Sequence, residues 1–302
     1  MLISIAMTTY NGEKYLIEQL NSILDQTFSD FELIICDDCS TDNTIQIIKD
    51  YIIKDSRIKL FQNIKNIGFK KNFEQAVKLC TCELIALCDQ DDIWEKNHLE
   101  VLLSNIGNNY VIAGNNQFYD SNMNSLNKDF FSSHLFSSAK YPFNLDILKK
   151  VLLSGNCFQG ASILFKKEIL DLYLPLPEDV PYHDSWLVAI ACSLEKFTCL
   201  DTIITKYRQH NRQVTHKNNN NKKDFFNKRI LFCEKLINRT IISNQLIKQF
   251  LEQSKQYFIN MSTLKGRIKN INFWSQEYKY IYPDNNTAKY YFRFIKFLLL
   301  NK

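Results

Sequence analysis

Leu84–Trp94 reads LIALCDQDDIW. It begins as an unbroken apolar run, Leu84 to Cys88, and then places three carboxylates, Asp89, Asp91 and Asp92, within four residues. An apolar run of this length predicts a strand buried on both faces. Carboxylates at the C-terminal end of such a strand lie in the crevice where open α/β sheets take ligands. Adjacent negative charges repel one another and invite a cation. Oxygen ligands favour Mg²⁺ or Mn²⁺, which also take phosphate oxygens from a substrate. The competing reading is a solvated acidic loop before a helix, and the flanking sequence decides between the two.

That sequence alternates. Leu2–Ala6 predicts a strand, followed by a polar turn through Met7–Gly12 with Asn-Gly as breaker. Leu16, Leu20, Ile23 and Leu24 recur at helical spacing within Glu13–Leu24. Phe31–Cys36 predicts a second strand running into Asp37 and Asp38. Ser40 or Thr41 is expected to cap a helix marked by Ile45, Ile48 and Ile52. Arg57–Phe61 predicts a weaker third strand. Asn66-Ile67-Gly68 is a turn, and Phe69, Phe73, Ala76 and Val77 mark a third helix. This order predicts an α/β fold with a Rossmann-like, mostly parallel central sheet and helices on both faces. Thr9, Tyr10, Asp37, Asp38, Asp89 and Asp91 then converge on one sheet edge, which favours the metal and nucleotide reading. Neither GxGxxG nor GxxxxGK[ST] occurs, which argues against a standard dinucleotide fold and a P-loop.

Further along, Tyr110–Ala113 and Gln117–Tyr119 predict resumed strands. Residues 120–150 are too long for an ordinary connection and carry Phe130, Phe131, Phe136, Tyr141 and Phe143. They are read as an acceptor-side insertion or as packing surface. Gly155 and Gly160 precede a strand over Ala161–Phe165, where glycine permits close approach to a ligand. The proline-bearing loop Pro175–Pro181 leads to His183-Asp184-Ser185-Trp186, which opens a helix through Leu194. Asp184 is then either a cap or a functional carboxylate. A strand over Ile203–Tyr207 leads to Arg208 and His210.

The 302 residues suit one large domain, or one domain with an appendage. Nine cysteines, mostly in apolar runs, read as buried free thiols of a reducing cytosol. No leader pattern and no run of about 18 apolar residues is present. The net charge of +5 conceals a split: residues 1–215 carry 20 Lys and Arg against 27 Asp and Glu, and residues 216–302 carry 17 against 5. The expected division is a domain over 1–215 and a basic, mainly helical region over 216–302, joined by the low-complexity KNNNNKK at 217–223. The aromatic end YYFRFIKFLLLNK is too short to span a bilayer, and it reads as an interfacial anchor or as a packing or homodimer contact. An acidic domain beside the basic region argues for a membrane partner and against nucleic acid.

Taken together, TTYNGEKYLIEQLNSILDQT, DDCSTDNT, NIGFKKNF and CDQDDIW, in that order, resemble the family 2 glycosyltransferases of GT-A fold over roughly residues 3–210. DQDDIW, HDSW at 183–186 and YRQH at 207–210 resemble bacterial rhamnosyltransferases of O-antigen and capsule assembly. The resemblance implies a nucleotide-diphosphate sugar donor, dTDP-rhamnose as the first choice, a divalent metal, inversion, and a saccharide or lipid-linked acceptor. It assigns Thr9, Tyr10 and Asn11 to the nucleobase pocket, Asp38 or Asp37 to a base N–H, and Lys71 to the base and phosphates. It assigns Asp89 to ribose and metal, Asp91 to the metal, Arg208 and His210 to the diphosphate or metal, and Asp184 to the catalytic base. Gly160, His183 and Trp186 fall on the acceptor side; His183 stands where many members have glutamate. Asp37 or Asp38 as a turn cap, Lys71 as a solvated helix residue and His210 in a surface turn remain open. The same family admits UDP-hexose or UDP-N-acetylhexosamine donors. A sugar nucleotidyltransferase lacks its Gly-rich loop here, and a non-catalytic binding protein does not explain the retained carboxylates. The implied location is the cytoplasmic face of the inner membrane.

Removing residues 287–302 is expected to weaken binding to anionic liposomes, and added salt to weaken it in the intact chain. Salt-insensitive binding in a sedimentation assay would assign the tail to packing or dimerisation.

Overall fold

A computed structural model describes residues 1–180, 182–211, 213, 222–261, 263–281 and 293. Residues 217–221 of the linker, and the aromatic end apart from Arg293, lie outside the described residues. The first strands and helices alternate: β1 (Ile3–Thr9), α1 (Leu16–Leu24), β2 (Phe31–Asp37), α2 (Thr44–Lys54), β3 (Ile58–Gln62), α3 (Phe69–Leu79) and β4 (Leu84–Cys88). There follow β5 (Ile93–Trp94), α4 (His98–Ile106), β6 (Val111–Tyr119), β7 (Ser125–Asp129), α5 (Phe130–Ser133) and α6 (Asn144–Leu153). Then come β8 (Ile163–Lys166), α7 (Leu170–Tyr173), α8 (His183–Ser193), β9 (Phe197–Arg208), α9 (Lys222–Arg239) and α10 (Gln245–Asn260).

The sheet order is β3-β2-β1-β4-β8-β6-β9-β5, with β7 paired to β6. β3, β2, β1 and β4 pair in parallel, as do β6 and β9, while β8 runs antiparallel between β4 and β6. The mixed α/β, Rossmann-like architecture is thus the one expected. β1 explains its layering through the period of a strand. Ile3, Ile5 and Met7 face a core built with α1, α2 and α4, whereas Ala6 faces a second core built with α3, α6 and α8. α9 and α10 add Phe232, Leu236, Ile247 and Phe250 to that second core. α8 is therefore covered almost all round, which an amphipathic reading of its sequence understates.

Several boundaries differ from the sequence reading. β1 continues to Thr9 because its last residues pair with β2 as far as Asp37. Ser40 and Thr41 do not cap α2. Ser40 Oγ donates to Asp37, and Asp42 accepts the Thr44 N–H at the helix start. Residues 111–119 form one strand with a register shift between Ala113 and Asn116. Phe131, Phe136 and Tyr141 of the 120–150 segment are buried core aromatics, while Phe143 is exposed.

At the sheet edge opposite the carboxylates, Glu32 is enclosed. It accepts bonds from Ser4 Oγ at 2.6 Å, Thr81 N at 2.8 Å, Thr81 Oγ1 at 2.7 Å and Lys59 Nζ at 2.8 Å. Burial alone would raise its carboxyl; the Lys59 ammonium and the hydroxyls of Ser4 and Thr81 outweigh burial and hold it at about 2, below the ordinary 4.5. Its stabilisation is therefore complete above 4.5 and is lost as the pH falls through about 2. Glu32→Gln should cost about 2 kcal/mol at neutral pH, and the gap to wild type should narrow at about pH 3. Urea denaturation at both pH values checks this; an unchanged gap would contradict it.

Candidate functional site

The C-terminal ends of β1, β2 and β4 meet as the alternation requires, but their side chains divide the work differently from the sequence reading. Asp37 is fully buried. It accepts from Thr9 Oγ1 at 2.8 Å and from Ser40 N at 2.8 Å. Asp38 accepts from Ile67 N and Gly68 N, each at 2.8 Å, and from Asn63 Nδ2 at 3.0 Å. Asn11 Oδ1 accepts the Thr41 N–H, and Asn11 N–H donates to Ser40 Oγ. Thr9, Asn11, Asp37 and Asp38 thus fasten loops to one another, and their side chains are committed to backbone and hydroxyl groups. These bonds are the ones the turn-capping reading of Asp37 and Asp38 describes. Tyr10, by contrast, is 48 % exposed at the rim.

Lys71 also departs from expectation. It shares the outward stripe of α3 with Lys78, beside a shallow surface depression lined by Glu74, Gln75 and Leu79. Helical spacing turns residue 71 away from the buried Phe73 and Val77.

The DQDD turn is where the residues assemble. Gln90 clamps Tyr10: its Oε1 accepts the Tyr10 N–H at 2.9 Å and its Nε2 donates to the Tyr10 carbonyl at 3.0 Å. A Cβ on Gly12 would stand 2.2 Å from Gln90 Oε1, so the clamp requires glycine there. No periodicity marks Gln90; the only signal was its place between the aspartates.

Asp91 Oδ2 lies 2.8 Å from His210 Nε2, which brings together two of the expected metal residues. Asp89 is close enough to Asp91 and Asp184 to feel both charges. Burial first, then Asp91 and Asp184, push its carboxyl well above the ordinary range. Asp92 is raised by burial, then by Asp91 and Asp89, with Arg208 opposing. Its carboxylate accepts the Arg208 N–H at 3.1 Å and Gln159 Nε2 at 3.3 Å.

Arg208 is only 2 % exposed. Its Nε donates to the Asp91 carbonyl at 2.8 Å, its other nitrogens donate to Ser121 O and to Glu18, and its guanidinium lies over the Tyr15 ring. The guanidinium is occupied in holding the acidic turn.

On the other side of the cleft, Asp184 opens α8. Burial raises its carboxyl to about 7, against the opposing pull of the Ser185 and Gly160 N–H groups and the Asn156 side chain. A carboxylate poised there can exchange a proton near neutral pH. Its neighbour His183 is buried, stacked on Phe73 at 4.1 Å, and burial lowers it to about 3. A Cβ on Gly160 would stand 3.0 Å from His183 Nε2, so Gly160 makes room for the imidazole. Trp186 is fully buried, donates Nε1–H to the Tyr173 carbonyl and packs edge-on against Phe232. His183 and Trp186 therefore pack the base of the helix, with both side chains buried.

Among the described residues, no three His, Cys, Asp or Glu side chains form a closed metal cage. The Asp91–His210 pair is an open donor set. Carboxylate oxygen with imidazole nitrogen fits an ion such as Mn²⁺ that completes its shell from a diphosphate and water, and Asp91 alone suits Mg²⁺ in the same way.

Comparison with known proteins bears on the family and the fold. The family model described as glycosyl transferase family 2 matches residues 4–172. The dTDP-rhamnosyl transferase RfbG of Shigella flexneri is 32 % identical over 226 residues, covering 69 % of this chain and 73 % of that protein. The Escherichia coli protein named UDP-Glc:alpha-D-GlcNAc-diphosphoundecaprenol beta-1,3-glucosyltransferase WfgD is 37 % identical over 181 residues, 60 % of this chain and 64 % of its own length. The solved structure of S. aureus TarS 1-349 in complex with UDP-GlcNAc matches with a TM-score of 0.62 at 22 % identity, over 99 % of this chain and 80 % of that one.

Proposed function

Because the chain belongs to glycosyl transferase family 2, we propose that this glycosyltransferase moves a sugar, with inversion, from a nucleotide-diphosphate donor to a hydroxyl of a saccharide or lipid-linked saccharide in surface-polysaccharide synthesis. The observation that carries the reading is the meeting of the start of α8 with the acidic turn through residues 159–160: Gln159 Nε2 donates to Asp92 at 3.3 Å, and a Cβ on Gly160 would stand 3.9 Å from Asp184 Cβ. dTDP-L-rhamnose is the donor favoured by the motifs DQDDIW, HDSW and YRQH and by the likeness to RfbG. A UDP-hexose is the second reading, favoured by the likeness to WfgD.

In this reading the exposed Tyr10 ring, held by the Gln90 clamp, borders the nucleoside. Asp91 and His210 would hold Mg²⁺ or Mn²⁺, which would supply charge neutralisation at the departing diphosphate. Asp184 accepts the proton of the acceptor hydroxyl as that oxygen attacks the anomeric carbon, and the carbon–oxygen bond to the nucleotide diphosphate breaks. The raised carboxyl makes Asp184 a better proton acceptor than an ordinary aspartate, at the cost of being partly protonated at neutral pH. No helix among the described residues is long and apolar enough to cross a membrane. A peripheral position at the inner membrane, through the basic C-terminal region, is part of the proposal.

Asp184→Asn keeps size and most helix-start bonding, so it separates catalysis from folding. It should lower kcat on the order of 10²–10⁴-fold with donor affinity and Tm preserved. In the wild type, kcat/KM should rise with pH through a midpoint near 7, because the base must be ionised. Turnover near normal would reject the base, and a collapse of Tm would make Asp184 a structural cap.

A further inference from the structure

The segment that leads into Asp184 has no sheet partner to fix it, yet it is gripped from one face of α3. Lys70 Nζ donates to the Glu178 carbonyl at 2.5 Å and to the Val180 carbonyl at 3.0 Å. Glu74 Oε2 accepts the Leu176 N–H at 3.1 Å. Phe73 stacks on His183, the residue before Asp184. Positions 70, 73 and 74 are spaced i, i+3 and i+4, so the three contacts come from a single helical stripe. Lys71, one residue along, lies off that stripe. The sequence NIGFKKNF offers two adjacent lysines, and it is the first that reaches across.

The N-terminus of α3 is also anchored. The helix begins after Gly68, whose N–H, with that of Ile67, is held by the Asp38 carboxylate at the end of β2. α3 is thus a rigid member with its N-terminus fixed to the donor-side loops and its flank fixed to the approach to the base. A lysine that donates to two main-chain carbonyls places backbone, and it does so across more than a hundred residues of sequence. From the far side Lys235 of α9 pairs with Asp179 at 2.7 Å, and Arg239 Nη1 donates to the Pro175 carbonyl at 2.9 Å. These contacts from α9 restrain the same segment. The α3 contacts are those that bear on its placement relative to the strand ends.

We propose that Lys70 is a positioning residue: by holding the Glu178 and Val180 carbonyls it sets the distance of Asp184 from the strand-end carboxylates, and so from the bound donor. The proposal rests on the reading of Asp184 as the base. Reactivity at such a site is steep in distance, and a displacement of about 1 Å costs up to about a hundredfold in rate.

The test compares wild type, Lys70→Met, Lys70→Arg and Asp184→Asn. For each, kcat, KM for the acceptor, nucleotide-diphosphate affinity by calorimetry and Tm are measured. Lys70→Met keeps the aliphatic stem and removes the ammonium. It should lower kcat about 10- to 100-fold with nucleotide affinity unchanged. Lys70→Arg, which keeps a cationic donor, should recover a large part of the loss. Should Lys70→Met prove too unstable to assay, Glu74→Leu releases the same segment at Leu176 and should give the same split. Unchanged kcat in these variants overturns the proposal, as does a parallel loss of nucleotide affinity, which would make Lys70 a donor ligand. If Asp184→Asn keeps its turnover, the base assignment fails first. If Asp184→Asn is inactive while Lys70→Met turns over normally, only the positioning role fails.

Discussion

Arg208 is enclosed at the last residue of β9, and from there it makes contact with almost everything that shapes the acidic turn. Its main-chain N–H binds Asp92, its Nε binds the Asp91 carbonyl, and its remaining nitrogens reach Ser121 and Glu18. The constraint it answers is electrostatic. Asp89, Asp91 and Asp92 crowd one short turn, and Asp184 approaches from α8. Burial and then the neighbouring charges raise the proton affinity of Asp89 and Asp92, and like charges drive such a turn apart unless a fixed cation holds it. A buried guanidinium supplies that fixed charge, with one donor on the turn's backbone at Asp91 and the others on Ser121 and Glu18. Removing one partner of such a buried arrangement costs roughly 3–5 kcal/mol, so the geometry of Asp91 depends on a residue that makes no demand on the ligand itself.

The same economy governs the donor side. Asp37 and Asp38 are carboxylates at a strand end, where ligand contact is the first expectation, but they close loops. Asp38 satisfies two consecutive N–H groups ahead of α3, and Asp37 joins the end of β1 to Ser40. Once these loops are fixed, Tyr10 is left exposed at the rim with its backbone clamped by Gln90. The polar residues thus fall into two groups, those spent on holding loops and those that face the cleft. Asp91, His210, Asp89 and Asp184 form the second group.

The parallel half of the sheet was readable because it is periodic. Leu84–Cys88 is a continuous apolar run, and Phe69, Phe73, Ala76 and Val77 repeat at helical spacing; both signals survive folding because packing creates them. The Asp91–His210 contact came from a family motif, since no local pattern links residues 119 apart in sequence. Trp186 and Arg208 are turned inward for a common physical reason. Each stands in a polar-looking motif, and whether a side chain points into a cleft or into the core depends on what packs over it. For Trp186 that cover is Phe232 of α9; for Arg208 it is Tyr15 and Glu18 of the α1 region. Gln90 and Lys70 carried no linear signal, because both act through main-chain groups distant in sequence.

The account holds that the strand-end carboxylates are arranged to receive a divalent cation together with a nucleotide diphosphate. Calorimetric titration of nucleoside diphosphate into metal-stripped protein, with and without Mn²⁺, tests this most directly when run in parallel on Asp91→Asn. Wild type should bind at least about tenfold more tightly with the ion present, and Asp91→Asn should lose most of that gain. Equal affinity with Mn²⁺ and with chelator in the wild type would contradict the account.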